Sequence, residues 1–300
     1  MRVLTYSYNL LGDSLQTTVA LRAFYKEFSE KKESTPFSMT IATDDNYIAV
    51  IYKRMGIPVE VYTGDPKLLD EHSYDFVFDF NISKAFSLGI ATNTPASIIF
   101  CTMLGVTPER AYPFYESLFL ELPHGAGVVQ PDLAILFQPY SVSCSSWSGH
   151  AANKRWPDEC WAKVYEWLRK DYPQFLVVVL GGEKDYVIPG IPEECHLFNR
   201  TLDEVALYQK NARLILSLDS GVAHLAASQD ARMIELYPIA LPSQWMSNSE
   251  SPNVRIIHAL PWELSEDWVY TQCVNYLREI QLCLTTPREL FPSSAPTVAK

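Results

Sequence analysis

The sequence predicts an α/β protein built from two doubly wound halves in tandem. Short apolar runs of strand length alternate with segments of helical spacing, which is typical of parallel sheets covered by helices on both faces. The 300 residues suit two domains of ordinary size, and the 48% hydrophobic content lets each domain bury a core. Residues 106–131 are rich in Pro, Tyr, Glu and Gly and lack periodicity, as at a domain boundary. We therefore expect one domain at residues 1–130 and a second at residues 131–300.

In the first half, apolar runs predict four strands, and segments with helical spacing predict three helices. Leu15, Val19 and Ala23 recur on one face of the first of these helices. Gly56 and Gly105 follow the second and third helices, a position where glycine commonly ends a helix. The predicted strands are residues 2–6, 37–42, 57–61 and 74–79, and the predicted helices are residues 15–28, 45–55 and 95–104.

The second half continues the same alternation and ends in a long helix. Pro157 is well placed in the first turn of its first helix, because proline has no N–H to leave unbonded there. The tail after Pro287 is rich in Pro and Ser. The predicted strands are residues 132–137, 175–180, 214–218, 233–237 and 254–258, and the predicted helices are residues 157–171, 202–209, 221–228 and 266–284.

One strand-turn-helix segment in this half predicts an anion site. The apolar run at residues 213–218 is followed by Asp219, Ser220 and Gly221, and then by a helix. The first N–H groups of that helix point at the carboxyl edge of the sheet, where they and the helix dipole favour negative charge. Gly221 permits close approach of a phosphate, and Asp219 and His224 can add side-chain contacts. The alternative is an ordinary turn, with Asp219 as the N-cap and His224 packed among its neighbours.

Three blocks in this order carry a resemblance to a known family. They are GDSLQTTVALR at residues 12–22, KRWP at residues 154–157 and DSGVAHLAA at residues 219–227. Together they resemble glycosyltransferase family 9, the heptosyltransferase family. The resemblance implies a GT-B fold, in which two Rossmann-like domains face each other across a cleft. It also implies that the first domain binds the acceptor and the second binds a nucleotide-sugar.

Asp13 is the candidate general base. We expect it in a loop between the first strand and its helix, with its carboxylate in the cleft, a position from which a base contributes about 10²–10⁴-fold in rate. The resemblance assigns the base to this residue. The alternative role is that of a cap for the helix that follows.

Lys154 is the candidate cation for the departing diphosphate, because a positioned cation stabilises the charge that develops as the glycosidic bond breaks. The resemblance assigns it this role and leaves the use of Arg155 open. The alternative is a solvated basic pair beside a structural Trp156. Hydroxyl groups upstream offer weaker phosphate contacts, at Ser145, Ser146 and Ser148.

Glu183 follows an apolar strand and a pair of glycines, so its carboxylate can accept hydrogen bonds from ribose hydroxyls. Its position matches a carboxylate of the family, although an exposed polar loop is the alternative. The resemblance further implies that the diphosphate is held by the N–H groups of Ser220, Gly221 and Val222, with His224 beside them.

The implied activity is an inverting, metal-independent transfer of a sugar to an acceptor hydroxyl, with heptose as the first expectation. No bound cofactor is expected, and the nucleotide-diphosphate sugar, ADP-linked in the first instance, is a co-substrate. The chain contains no G-x-G-x-x-G for a nicotinamide or flavin and no Asp-x-Asp metal motif. Asp44 and Asp45 are interpreted as a solvated pair at a helix start.

Three alternatives differ in kind. Gly12-Asp-Ser-Leu15 matches the GDSL signature of an esterase family with Ser14 as nucleophile, but the Asp-x-x-His that completes its triad is missing near the C-terminus. A non-catalytic sugar- or nucleotide-binding relative is the second. The third is a glycosyltransferase that acts on a hydroxylated nucleobase in DNA.

Charge and composition limit the classes of partner and the cellular location that we expect. Residues 1–150 hold 10 Lys and Arg against 16 Asp and Glu, and residues 151–300 hold 14 against 19, so neither half favours nucleic acid or an anionic membrane. No apolar stretch is long enough to span a bilayer. We expect a cytoplasmic protein, with peripheral contact at the inner membrane face left open, that binds a nucleotide-sugar and a glycan or other hydroxylated acceptor. The six cysteines, which form no C-x-x-C pair, are expected to be reduced.

The sequence also departs from the family pattern. Where relatives continue with a Gly-Pro-Thr loop, this chain reads YPIALPSQW at residues 237–245. That loop shapes the donor pocket, so the identity of the sugar stays open. The acidic first half also differs from the basic surface expected of a domain that grips a phosphorylated acceptor.

Overall fold

The computed structural model describes residues 1–7, 11–30, 36–80, 94–109, 113, 115, 133–141, 154–238 and 251–285. Ten β-strands and seven α-helices lie within these residues. The strands are β1 Arg2–Tyr6, β2 Ser38–Ala42, β3 Glu60–Tyr62, β4 Phe76–Asp79, β5 Ala134–Gln138, β6 Leu176–Gly181, β7 His196–Phe198, β8 Leu214–Leu218, β9 Met233–Pro238 and β10 Val254–Ala259. The helices are α1 Leu11–Glu30, α2 Asn46–Lys53, α3 Ala96–Leu104, α4 Asp158–Asp171, α5 Leu202–Asn211, α6 Gly221–Ser228 and α7 Glu266–Thr285.

The strands form two parallel sheets, one in each half of the chain. The first has the order β3-β2-β1-β4 and the second has the order β10-β9-β8-β5-β6-β7. In each sheet the chain starts in an inner strand, builds outwards on one side and then crosses to the other side. This is the order of Rossmann sheets, and it creates a topological switch point between β1 and β4 and another between β5 and β8. The predicted fold class is confirmed.

Local chemistry explains why several helices begin and end where they do. Asp45 caps α2, and its carboxylate accepts a hydrogen bond from the N–H of Tyr47 at 2.7 Å. Thr201 and Glu204 form a capping box at the start of α5. Gly105 ends α3 in the left-handed region, with φ of 67°. The interpretation of Asp45 as part of a helix start is therefore confirmed.

Two hydrophobic clusters form the core, and one of them runs through both halves. The first joins residues of α1 such as Leu15 and Val19 to Leu136 of β5 and to Ala223 and Ala226 of α6. The second lies on the other face of the second sheet, where α4 and α7 cover it. The two halves therefore share buried apolar surface.

The N-terminal ends of α1 and α6 meet in this shared core. A Cβ atom on Gly12 would lie 2.7 Å from Cδ2 of His224. A Cβ atom on Gly221 would lie 2.8 Å from Cβ of Leu11 and 3.1 Å from the backbone nitrogen of Gly12. Glycine at both positions lets the two helix ends approach to backbone contact.

Some boundaries differ from the prediction. Helix α1 begins at Leu11 rather than Leu15, so Asp13 lies in its first turn and its expected loop position is wrong. Gly12 has a low helix propensity, but its packing against α6 outweighs that preference. Strand β3 spans Glu60–Tyr62 rather than residues 57–61. Helix α4 begins one residue later than predicted, so Pro157 is its N-cap. The short strand β7 was not predicted.

Several predictions fall on residues outside the described part of the chain. They are most of the proposed boundary at residues 106–131, the three serines Ser145, Ser146 and Ser148, most of the loop at residues 237–245, and the tail after Pro287. Four cysteines that are described, Cys101, Cys160, Cys195 and Cys273, are free thiols.

Candidate active site

Lys154 and Asp219 form an ion pair at the switch point of the second sheet. Lys154 lies between β5 and α4, and Asp219 follows β8, the strand beside β5. Lys154 Nζ lies 2.6 Å from Asp219 Oδ2, and the two side chains are only 16% and 6% exposed. A cation and its partner are thus held at the edge of the sheet where Rossmann-type domains bind nucleotides.

His224 lies against the same carboxylate. Its Nε2 is 4.0 Å from Asp219 Oδ1, and its Nδ1 is 3.4 Å from Nε2 of Gln16 in α1. Burial lowers the pKa of His224, the charge of Asp219 raises it and that of Lys154 lowers it, with a net lowering. The imidazole is therefore neutral near pH 7. The two ring nitrogens therefore face different partners, Gln16 at Nδ1 and Asp219 at Nε2.

Asp13 reaches this pair from the other half of the chain. It lies in the first turn of α1 and is partly buried. Burial and the charge of Asp219 raise the pKa of Asp13 to about 6, against the opposing charge of Lys154. Among the described residues, none donates a hydrogen bond to its side chain. A carboxylate with this pKa is suited to accept a proton near neutral pH.

A buried hydroxyl network supports the turn that holds Asp13. Tyr52 of α2 is fully buried, and its hydroxyl is bonded to Ser7 at the end of β1 and to Thr17 of α1, the latter at 3.2 Å. Ser14 also bonds to this hydroxyl, and burial raises the pKa of Tyr52. Sequence reasoning missed Tyr52, because no pattern in α2 links it to residues 35 and 45 positions earlier.

The position of Ser14 counts against the esterase alternative. Its side chain is fully buried and lies in the hydroxyl network around Tyr52. A serine nucleophile has to reach its substrate and a general base from an accessible position. Ser14 instead helps to fix the first turns of α1 to α2.

Ser220, rather than Asp219, is the N-cap of α6. Its hydroxyl accepts a hydrogen bond from the N–H of Ala223. Asp219 is therefore available to Lys154. The space beside Gly221 is filled by Leu11 of α1, so packing between helices explains this glycine. Val222 is partly buried, and its carbonyl accepts a hydrogen bond of 2.8 Å from Nε2 of Gln209.

Glu183 lies apart from this cluster, in a turn after β6. Its side chain is exposed, and no described contact joins it to Lys154 or Asp219. Asp185 shapes the turn by accepting a 2.6 Å hydrogen bond from the N–H of Gly182. Gly181 makes room for a ring, since its Cβ would lie 2.5 Å from Phe198.

Arg155 packs this turn against α4. Its Nη2 donates to the hydroxyl of Tyr186 at 2.6 Å and to Asp158 Oδ2 at 3.2 Å. The Tyr186 hydroxyl is also bonded to Asp158. Arg155 therefore braces the loop that carries Glu183, a role that the sequence left open.

Neither a metal cluster nor a membrane span stands out in the described residues. Within those ranges, no group of three or more His, Cys, Asp or Glu side chains is arranged to hold a metal ion. Among the same residues, no helix combines the length and the apolar character needed to cross a bilayer.

Residues 128–265 match the sequence model of glycosyltransferase family 9 (heptosyltransferase). This stretch, which is less than half of the chain, resembles glycosyltransferase family 9. It contains Lys154, Glu183, Asp219 and His224, whereas Asp13 lies outside it. The match supports the enzyme class of a glycosyltransferase. No curated protein matches the chain at a significant level.

Several solved structures share the fold over nearly the whole chain. The glycosyl transferase family 9 protein from Veillonella parvula DSM 2008 is 16% identical, with a TM-score of 0.68 over 93% of this chain and 97% of that chain. E. coli heptosyltransferase WaaC, solved with ADP, is 17% identical, with a TM-score of 0.62 over 92% of this chain and 100% of that chain. The iron-containing dodecameric glycosyltransferase TibC from enterotoxigenic E. coli H10407 is 13% identical, with a TM-score of 0.62 over 95% of this chain and 77% of that chain. The shared architecture is GT-B.

Proposed function

We propose that the chain is an inverting glycosyltransferase that moves a sugar from a nucleotide-diphosphate sugar to an acceptor hydroxyl. One observation carries the proposal. The carboxylate of Asp13, whose pKa is raised to about 6, belongs to the first half and interacts with the Lys154–Asp219 pair of the second half. A base from one half and a cation from the other are suited to transfer between two bound substrates.

The proposed reaction uses the base and the cation in these positions. Asp13 takes the proton of the acceptor hydroxyl as its oxygen attacks the anomeric carbon from the side opposite the diphosphate. The bond from that carbon to the diphosphate oxygen breaks, its electron pair stays on the diphosphate, and the anomeric centre is inverted. Lys154 stabilises the charge that accumulates on the leaving group. Because Lys154 supplies this charge, we propose a metal-independent reaction, with no change of rate expected when EDTA is added.

The donor is assigned to the second half. The diphosphate contacts Lys154, His224 and the N–H groups of Ser220, Gly221 and Val222, while the ribose hydroxyls bind Glu183 on the adjoining turn. ADP-linked heptose is the first donor to test, because WaaC was solved with ADP and TibC with ADP-D-beta-D-heptose. No bound cofactor takes part.

The acceptor is a glycan or another hydroxylated molecule bound mainly by the first half. A hydroxylated nucleobase in DNA is a less favoured acceptor, since residues 1–150 carry 16 Asp and Glu against 10 Lys and Arg. We place the protein in the cytoplasm, where nucleotide-sugars are made, with an acceptor at the inner membrane face as one site of use.

Nucleotide binding followed by turnover tests the proposal. Thermal unfolding is first measured against a panel of nucleoside diphosphates and their sugar conjugates, since a ligand at about 100 times its dissociation constant adds about 2.7 kcal/mol of stability. Lys154→Ala should weaken the shift. Lys163→Ala is the matched control and should leave the shift unchanged. It removes an exposed lysine of α4 that is paired with Glu266 of α7.

Asp13→Asn separates catalysis from binding alone. The variant should bind the donor and lose transfer, whereas Asp44→Asn, at an exposed aspartate, should keep both. A wild-type protein that binds nucleotide-sugars but transfers to none of a broad acceptor panel would favour the non-catalytic relative. If no nucleotide raised the melting temperature, the assignment of the donor site would be contradicted. An ester-hydrolysis screen with Ser14→Ala would then follow.

A further inference from the structure

Gln138 is a buried polar residue that neither the family resemblance nor the proposed reaction uses. It is the last residue of β5 and is only 1% exposed. Both polar atoms of its side chain, Oε1 and Nε2, are buried and have no hydrogen-bond partner among the residues that the structure describes. A buried amide without partners destabilises a fold, because it has given up its bonds to water without replacement. A group of this kind at the edge of a ligand site is suited to bind the ligand.

The strand geometry shows which face of the sheet Gln138 occupies. Side chains alternate along β5, so Gln138 lies on the face of Leu136, which belongs to the core shared with α1 and α6. In the register of the sheet, Gln138 is opposite Ser217 of β8, and Ser217 is opposite Glu235 of β9. These three residues, each 1% exposed or less, form a row of buried polar side chains across three adjacent strands.

The row lies directly beside the candidate donor site. Ser217 precedes Asp219 by two residues, and Asp219 holds Lys154. Gln138 ends strand β5 at the β5–β8 switch point, the place where Rossmann sheets bind their ligands. The unpartnered amide is therefore at the edge of the sheet that faces the bound donor.

We propose that the side-chain amide of Gln138 binds a hydroxyl group of the donor sugar-nucleotide. This inference rests on the proposed function and adds a specificity-determining residue to it. An amide offers an N–H donor and a carbonyl acceptor, and a sugar hydroxyl can use both. A phosphate oxygen accepts only, so it would leave Oε1 unbonded.

The inference predicts opposite effects of one substitution on stability and on binding. Gln138→Met keeps the approximate volume and removes both unpartnered atoms, so the melting temperature should stay the same or rise. Donor affinity should fall by about 3- to 10-fold, the usual range for one lost hydrogen bond. Gln209 is the matched control: it is fully buried, but its Nε2 already donates to the Val222 carbonyl. Gln209→Met should therefore lower the melting temperature.

Calorimetric titration with ADP and with ADP-heptose, or with the nucleotide pair that shifts the wild type most, decides the question. Weaker binding of both ligands to Gln138→Met would assign the hydroxyl to the ribose. Weaker binding of the sugar conjugate alone would assign it to the transferred sugar. Unchanged affinities with a lowered melting temperature would overturn the inference and show that Gln138 is structural, while the proposed function stands. Absence of nucleotide binding by the wild type would overturn both.

Discussion

Lys154 Nζ lies 2.6 Å from Asp219 Oδ2, which ties the connection between β5 and α4 to the end of β8. The two residues are 65 positions apart in the sequence, and both are largely buried. The cation is thus oriented by a carboxylate of the protein, and a diphosphate that binds there meets an ammonium group already in place.

Lys154→Ala should impair both stability and transfer. Removal of one partner from a buried pair leaves the other charge uncompensated, at a cost of about 3 kcal/mol. The free energy of unfolding is read from urea titration, and transfer is measured with saturating acceptor. Lys154→Ala combined with Asp219→Asn should recover part of the stability without activity. A double variant as unstable as the single one would contradict a direct pairing.

The pH dependence of transfer should report the ionisation of Asp13. A general base works only when it is deprotonated, and the pKa of Asp13 is raised to about 6. We therefore expect kcat/KM to be constant above that value and to fall about tenfold per pH unit below it. Rates measured between pH 4.5 and pH 8.5 in buffers of constant ionic strength test this. A profile that stays flat down to pH 4.5 would rule out Asp13 as the base.

Asp13 should also make folding less favourable at neutral pH. Its folded-state pKa of about 6 exceeds the reference value of 3.8, so ionisation costs stability as pH rises from about 4 to about 6. Asp13→Asn, which cannot ionise, should match the wild type near pH 3.5 and exceed it by on the order of 2 kcal/mol at pH 7.5. Urea titrations at both pH values provide the comparison. Equal stabilities at pH 7.5 would show that the carboxylate is well solvated.

The contact between α1 and α6 should tolerate no side chain at Gly221. A Cβ atom there would lie 2.8 Å from Leu11 and 3.1 Å from the backbone nitrogen of Gly12, so Gly221→Ala should cost about 1–3 kcal/mol. Gly182→Ala is the control, because its nearest neighbour would be an ordinary 3.6 Å away. Thermal unfolding of the two variants should separate them clearly. Similar melting temperatures would mean that the two helices can move apart at little cost.

Tyr52→Phe should destabilise the first turns of α1, because the lost hydroxyl serves more than one hydrogen bond. Ser7 and Thr17 would both lose a buried partner, at a cost of about 1–3 kcal/mol. Because Asp13 lies on the same turn, the limb of the pH–rate profile should shift as well. Tyr62→Phe removes an exposed hydroxyl that donates to the Asp65 carbonyl and serves as the control. If Tyr52→Phe and Tyr62→Phe changed the stability and the pH–rate profile equally, Tyr52 would not support the turn that carries Asp13.

The alternation of strands and helices could be predicted from the sequence, because fully buried parallel strands such as β8 are short apolar runs. The start of α1 could not, since Gly12 disfavours a helix and only its contact with α6 reveals why it is there. Strand β7 has three residues, too few for any periodicity.

The candidate site likewise contains residues that the sequence predicted and residues that it did not. The motifs at Asp13, Lys154 and Asp219 identified residues that the fold brings together, yet the ion pair between the last two depends on the order of strands β5 and β8. Tyr52 and Gln138 carried no motif. Their roles follow from contacts made, or missing, in three dimensions, and a tyrosine in a helix or a glutamine at a strand end is unremarkable in a sequence.

The backbone contact between Gly12 and Gly221 also bears on how the protein can be dissected. Because α1 and α6 cover each other with small residues and the core continues through both halves, a fragment of either half would expose alanines and leucines that are buried in the whole chain. The half that carries the family match is thus expected to aggregate when expressed alone. Co-expression of the two halves as separate polypeptides should restore a soluble heterodimer.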